Sequence, residues 1–270
     1  MTITGLAASS ARAHDFWILP SSFEPASDAA VAFHLAVGQQ WAGDPFPRNE
    51  ARIVHFVLVG PHGDTPIAGA EGVDPAGVAR VGAAGLYLAG YESNNAKLEL
   101  EPDKFEAYLR LEGLEPVIAE RSRRGESQQG SHEVYARCAK SLLRVGGSEG
   151  PKNAQVFDRA LGFTLEIIPE KNPYSYVTSP GKPVSLPFRV LYQGKPLAGA
   201  LVVAMVKDAP RSPVQARSDR RGRVELALDA PGVWLVKTVH MVRLEAESVK
   251  LQGAEWQSYW ASLTFTLPAR

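Results

Sequence analysis

The run Val184-Ser185-Leu186-Pro187-Phe188-Arg189-Val190-Leu191-Tyr192, closed by the turn Gln193-Gly194-Lys195-Pro196, shows the pattern of the whole C-terminal half. Similar apolar runs recur around it, separated by turn sequences. They cover residues 163–168, 201–206, 223–228, 233–239 and 256–267. Short strands at such regular spacing predict an antiparallel β-sandwich of immunoglobulin or transthyretin type over 151–270.

The preceding residues, 14–150, predict a second β-rich domain that ends in the glycine-rich linker 146–151. Its strand-like runs are at 31–37, 53–59 and 77–91. A helical insertion is predicted at about 101–145. Within it, Phe105, Tyr108 and Leu109 share one helix face, and Val134, Cys138 and Leu142 recur every four residues.

A charged segment, Glu120 to Gly130, separates the two predicted helices. Such a charge run is typical of a solvated surface turn. The alternative is that its arginines bind an anion, since guanidinium groups bind oxyanions well.

The composition excludes several classes of partner. The chain has 270 residues and a formal net charge of +0, which argues against nucleic acid and anionic membranes as partners. Cys138 is the sole cysteine, so neither an intrachain disulfide nor a thiolate metal cluster can form. No stretch approaches the roughly 18 apolar residues of a membrane span, so we expect a soluble protein that does not cross a membrane.

Residues 1–13 predict a truncated signal peptide and export to the periplasm. Ala11 and Ala13 have the A-x-A form that signal peptidase recognises, although the apolar part before them is short. Cleavage after Ala13 would make His14 the N-terminal residue. Its α-amine and imidazole would then form a bidentate nitrogen chelate suited to nickel, cobalt or copper.

Other residues are candidate ligands for the same ion. His240 follows a predicted strand and is the strongest candidate to join His14, and Met241 stands beside it. Asp15 and His34 are weaker candidates. For each residue the alternative of an ordinary packed or solvated side chain stays open.

Several segments form an ordered set along the chain. The set includes His14-Asp15-Phe16-Trp17-Ile18, Tyr91-Glu92-Ser93-Asn94, Glu133-Val134-Tyr135-Ala136-Arg137, Gly194-Lys195-Pro196-Leu197, His240-Met241 and Ser258-Tyr259-Trp260. It resembles a bacterial family of domains of unknown function, described as periplasmic components of ABC-type cobalt and nickel transport systems. The resemblance implies export, an immunoglobulin-like module, a bound nickel or cobalt ion and an inner-membrane metal permease as partner.

Three functional hypotheses follow. The leading one is a non-enzymatic periplasmic protein that buffers or delivers Ni²⁺, Co²⁺ or Cu²⁺ through His14 and His240. The first alternative is an immunoglobulin-like interaction module of the cell envelope that needs no metal. The second alternative is a secreted copper oxidase, in which an N-terminal histidine and a second histidine hold the copper.

Overall fold

A computed structural model describes residues 14–151, 155–178, 182–207 and 213–269, so the predicted signal peptide lies outside the described residues. The described chain is mainly β, as the sequence predicts. Its strands are β1 (Asp15–Pro20), β2 (Ala30–Gln39), β3 (Ala42–Pro45), β4 (Ile53–Gly60), β5 (Gly63–Pro66), β6 (Gly77–Arg80), β7 (Gly85–Ser93), β8 (Ala96–Leu100), β9 (Ser131–Val145), β10 (Leu165–Pro169), β11 (Val184–Tyr192), β12 (Lys195–Pro196), β13 (Leu201–Val206), β14 (Val214–Arg217), β15 (Arg223–Leu228), β16 (Gly232–Arg243) and β17 (Trp256–Leu267). Its helices are α1 (Pro102–Leu111), α2 (Glu115–Arg123) and α3 (Ala246–Gln252).

A nine-stranded central sheet runs through the molecule in the order β14-β13-β16-β17-β9-β7-β4-β5, with β8 also paired to β9. Strands β9 and β17 pair in parallel, from Glu133 opposite Trp256 to Ser141 opposite Thr264. Strands from both predicted domains therefore share one sheet. The division at residue 150 stays a prediction.

Two smaller sheets cover the opposite faces of the central sheet. The N-terminal cover sheet consists of β1, β2, β3 and β6, and the C-terminal cover sheet of β10, β11, β12 and β15. Along β9, Ala139 and Leu143 pack into the N-terminal core, whereas Cys138 and Leu142 pack into the C-terminal core. Alternate residues of a strand point to opposite faces, so the molecule is a three-layer β-sandwich.

The predicted helix over 131–143 is wrong, because this segment is strand β9. A strand buried on both faces carries apolar residues at successive positions rather than alternate ones. The spacing of the apolar residues in such a strand can then match the period of a helix, as it does for Val134, Cys138 and Leu142. The helical insertion is confined to α1 and α2, and α2 includes the first residues of the predicted charged turn.

Helices α1 and α2 lie on the same face of the central sheet as the N-terminal cover sheet. Phe105, Tyr108 and Leu109 of α1 are buried as predicted, in a cluster with Trp256 and Trp260 of β17. The two helices thus cover one end of the central sheet. At that end β8 and β16 finish and β9 and β17 begin.

A buried ion pair ties the C-terminal cover sheet to the central sheet. Lys140 on β9 and Glu166 on β10 are each 2% exposed, and Lys140 Nζ lies 2.8 Å from Glu166 Oε2. The same carboxylate accepts hydrogen bonds from the backbone N–H groups of Leu161 and Gly162, each at 2.9 Å. Both oxygens are therefore occupied, as a buried carboxylate requires.

We predict that Glu166→Leu destabilises the protein by about 3–5 kcal/mol, because it leaves the Lys140 ammonium buried without its partner. The double variant Lys140→Met/Glu166→Leu should be more stable than Glu166→Leu, since both charges are gone. Urea unfolding of the three proteins measures this. A double variant no more stable than Glu166→Leu would contradict the prediction.

Candidate functional site

The residues predicted to bind a metal lie in different layers of the sandwich. Asp15 is buried, and its Oδ1 lies 2.6 Å from Nζ of Lys237 on β16. His240, three positions further along the same strand, points to the opposite face, where its ring lies 4.5 Å from that of Tyr192. The side chains of Asp15 and His240 are therefore separated by the central sheet.

The remaining candidates are also apart. His34 lies in the N-terminal cover sheet, with Nδ1 3.0 Å from the Asp74 carboxylate. Met241 is buried with Trp256 and Trp260, and His14 is half-buried immediately before β1. Within the described ranges, no three His, Cys, Asp or Glu side chains are grouped in a way that could hold a metal ion.

Asp15 instead belongs to a buried charge cluster. Lys237 Nζ also donates to both oxygens of Glu112, at 2.8 and 3.0 Å. Burial raises the pKa of Asp15 and of Glu112, and the attraction of Lys237 opposes that rise. Burial would lower the pKa of Lys237, but the two carboxylates raise it overall. The cluster links β1, β16 and the residue after α1.

The helix-covered end of the central sheet contains a cavity of about 680 Å³, which we call the capped pocket. Its wall comes from the ends of β8 and β16, the starts of β9 and β17, helices α1 and α2, and the turn after α2. The lining residues are Glu99, Leu100, Glu101, Lys104, Arg121, Glu126, Gln129, Gly130, Ser131, His132, Arg243, Glu255 and Trp256. Because strands supply much of the wall, its side chains start from a rigid frame.

Arg121 is the most unusual side chain of the capped pocket. It is 2% exposed and lies on the buried stripe of α2, four residues after Val117. Its guanidinium stacks 4.6 Å from the ring centroid of Phe105, and Nη2 donates to the backbone oxygen of Gln129 at 2.6 Å. Burial lowers the pKa of Arg121, because a buried cation loses its hydration.

Two pairs of residues in the pocket wall are joined by hydrogen bonds, Arg243 with Glu126 and His132 with Glu255. Arg243 donates two hydrogen bonds to Glu126, at 2.8 and 2.7 Å, and these lower the pKa of Glu126. The same guanidinium lies 4.9 Å from the Trp256 ring centroid. The backbone N–H of His132 donates to Glu255 Oε2 at 3.1 Å, and His132 Nδ1 lies 3.5 Å from that oxygen.

Behind the pocket wall, Glu133 is a buried carboxyl group on β9. Its Oε1 accepts hydrogen bonds from the hydroxyl groups of Tyr108, at 3.3 Å, and Ser258. Burial raises the pKa of Glu133 to about 7, and the two hydrogen bonds oppose that rise. Its Oε2 has no hydrogen-bond partner among the described residues, and the same holds for Ser131 Oγ and Arg121 Nε.

The sequence carries one signal for this site, in the spacing of two residues of α2. Val117 and Arg121 are four residues apart, which places them on one helix face once α2 is recognised. The charged segment 120–130 predicts a solvated surface turn, and most of it is exposed, including Arg123 and Arg124. Arg121 is buried instead, with its guanidinium against the Phe105 ring. Binding of an anion by these arginines stays a prediction.

A G-x-S-x-G spacing at 146–150 does not form a hydrolase nucleophile turn. That motif needs a sharp turn from a strand into a helix. Here it follows β9, and the next strand or α-helix in the described part is β10. Ser148 Oγ accepts a hydrogen bond from Gly150 N at 3.1 Å, as in an ordinary loop.

A family model described as a domain of unknown function, DUF4198, matches residues 11–242. No curated protein matches the chain. Among solved structures, the D0-D1 domain of intimin has 12% identity and a TM-score of 0.22, with 93% of this chain and 97% of that chain covered. A tetra-tandem repeat in the extending region of a large adhesion protein has 12% identity and a TM-score of 0.24, with 96% and 50% covered.

We predict that Glu133 makes the stability of the protein depend on pH. Its pKa is about 7 when folded, above its ordinary value of 4.5, so the folded chain holds this proton more tightly than the unfolded chain. Its contribution is fully present below about pH 4.5, falls as the pH rises to 7, and is then constant. The loss is at most about 3 kcal/mol.

Glu133→Gln removes this titration while keeping a similar shape. The stability difference between the variant and the native protein should therefore shift in favour of the variant from pH 4.5 to 8. Urea unfolding at several pH values measures that difference. A difference that stays constant with pH would contradict the prediction.

Proposed function

The chain belongs to the DUF4198 family, a domain of unknown function, and we propose that it is a non-enzymatic binding module that takes a small polar ligand in the capped pocket. The proposal modifies the interaction-module hypothesis by giving the module a specific site. Its setting is the cell envelope, after export to the periplasm.

One observation carries this proposal: buried polar atoms beside the pocket lack partners. Arg121 Nε and Ser131 Oγ are buried without a hydrogen-bond partner among the described residues, and both residues line the cavity. Buried polar groups are normally satisfied, and each exception costs about 1–3 kcal/mol. Both atoms are closed to solvent, so a ligand would have to draw the side chains of Arg121 and Ser131 towards the cavity to supply these partners and offset that cost.

The size of the pocket supports the same proposal, since ligand sites commonly measure about 300–1,000 Å³. Its lining is mostly polar and charged, which suits a polar ligand rather than an apolar one. The capped pocket, at about 680 Å³, places Leu100 and Trp256 beside charged side chains. The paired side chains Arg243 and Glu126 hold part of the wall in a fixed geometry.

We predict that Gln129→Trp blocks the pocket, because the exposed Gln129 side chain lies in its wall and an indole there would fill the mouth. The test measures the Tm of the native protein with amino acids, short peptides, dicarboxylic acids and sugar phosphates. At least one class should raise the Tm by a few degrees when far above its Kd. That rise should vanish in Gln129→Trp.

The matched control is Gln128→Trp, an exposed neighbour that does not line the pocket. It should keep the ligand-dependent rise in Tm. If no class of compound raises the Tm, or if Gln129→Trp responds like Gln128→Trp, the proposed function is wrong.

A second candidate function is the binding of Ni²⁺, Co²⁺ or Cu²⁺ by His14 in the mature protein, for delivery to an inner-membrane permease. It is favoured by the position of His14, half-buried and directly before the buried first residue of β1. Since Asp15 faces away from His240, the chelate would consist chiefly of the α-amine and imidazole of His14 itself.

We predict that a chain beginning at His14 binds one equivalent of Ni²⁺ and that His14→Ala abolishes this binding. His62→Ala is the control, because His62 is exposed in a turn after β4. Calorimetric titration with Ni²⁺ measures the stoichiometry. Equal binding by His14→Ala, or no binding by the chain beginning at His14, would reject the metal function.

A further inference from the structure

The charges of the capped pocket do not suit a simple anion. Its lining contains four glutamates against three lysine and arginine side chains, with His132 in addition. Counting the glutamate, lysine and arginine side chains alone, the wall carries an excess of one negative charge. A ligand with negative charge alone would meet this field unfavourably, although Arg121 is buried in the wall.

The carboxylates whose fields reach Arg121 already have other partners. These are Glu126, Glu106 and Glu255. Glu126 pairs with Arg243, Glu106 pairs with Arg110 at 2.6 Å, and Glu255 accepts a hydrogen bond from the backbone N–H of His132 at 3.1 Å. Among the described residues, no carboxylate lies within ion-pair distance of Arg121. Its positive charge is therefore the buried charge of the pocket that still lacks a direct counter-ion.

The opposite charge is present at the edge of the same pocket. Glu99, the second-last residue of β8, and Glu101, just before α1, are both exposed and line the cavity. Neither has a basic partner within ion-pair distance among the described residues. Lys104 is nearby on α1 but exposed, so water screens its charge more than that of Arg121.

We infer that the pocket binds a small zwitterion, with its carboxylate at Arg121 and Ser131 and its ammonium at Glu99 and Glu101. This is the chemistry of a free amino acid or a short peptide. Leu100 and Trp256, the apolar side chains of the lining, are 6% and 2% exposed, so recognition rests chiefly on the charges of the ligand. The inference rests on the proposed function and names the class of ligand for that site.

The test uses leucyl-leucine, its N-acetyl form, which lacks the ammonium, and its amide, which lacks the carboxylate. L-leucine is a fourth arm that separates a free amino acid from a peptide. Calorimetry should show binding of leucyl-leucine or L-leucine. Each blocked form should bind about tenfold or more weakly than leucyl-leucine, since each loses one charge-assisted contact.

Substitutions in the pocket test which residues bind each charge of the ligand. In Arg121→Met, leucyl-leucine and its amide should bind alike, whereas the control Arg220→Met, at an exposed turn position before β15 and outside the pocket, should still distinguish them. In case Arg121→Met does not fold, Glu99→Gln/Glu101→Gln provides an independent test at exposed positions. It should bind leucyl-leucine no better than the N-acetyl form, with Glu247→Gln on α3 as its control.

Three results would overturn the inference while leaving the proposed function intact. The first is that leucyl-leucine and both blocked forms bind equally well and that Gln129→Trp abolishes this binding. The second is full discrimination retained in Arg121→Met and in Glu99→Gln/Glu101→Gln. The third is Gln129-dependent binding of another class of compound alone. If nothing binds in the pocket, the proposed function fails together with the inference.

Discussion

The parallel pairing of β9 with β17 is the constraint on which the rest of the molecule depends. It joins strands more than a hundred residues apart, over nine aligned pairs from Glu133 and Trp256 to Ser141 and Thr264. The joined sheet is buried on both faces, so each face needs its own cover. The two cover sheets and the helices α1 and α2 supply it, and the pocket forms where the helices meet the start of β9 and β17.

Buried charged groups also join the central sheet to the layers that cover its two faces. Lys140 and Glu166 connect the central sheet to one cover, and Lys237 connects it to Asp15 and Glu112 on the other side. Each of these buried charges has an opposite charge within hydrogen-bond distance, as burial requires. Arg121 and Glu133 depart from that rule, and Arg121 does so in the wall of the capped pocket. The proposed ligand site is based on this difference.

The sequence predicted the strands with clear turns between them, and β11, β13 and β15 have the predicted bounds. It misread β9, because burial on both faces depends on a distant partner, β17, that local spacing does not reveal. The metal candidates depended on the same non-local information. Asp15 packs against one face of β16, and the His240 side chain projects from the other face. The spacing of residues within either segment does not show this arrangement.

The most direct test of the capped pocket is a ¹⁵N-NMR titration of the isotope-labelled protein with leucyl-leucine. Binding in the capped pocket predicts saturable shifts for the backbone amides of Ser131 and His132 and the indole N–H of Trp256. The indole N–H of Trp234, in the core on the opposite side of the central sheet, should stay in place. Shifts confined to residues away from the pocket, or no saturable shift with this or any other small polar ligand, would show that the capped pocket is not a ligand site.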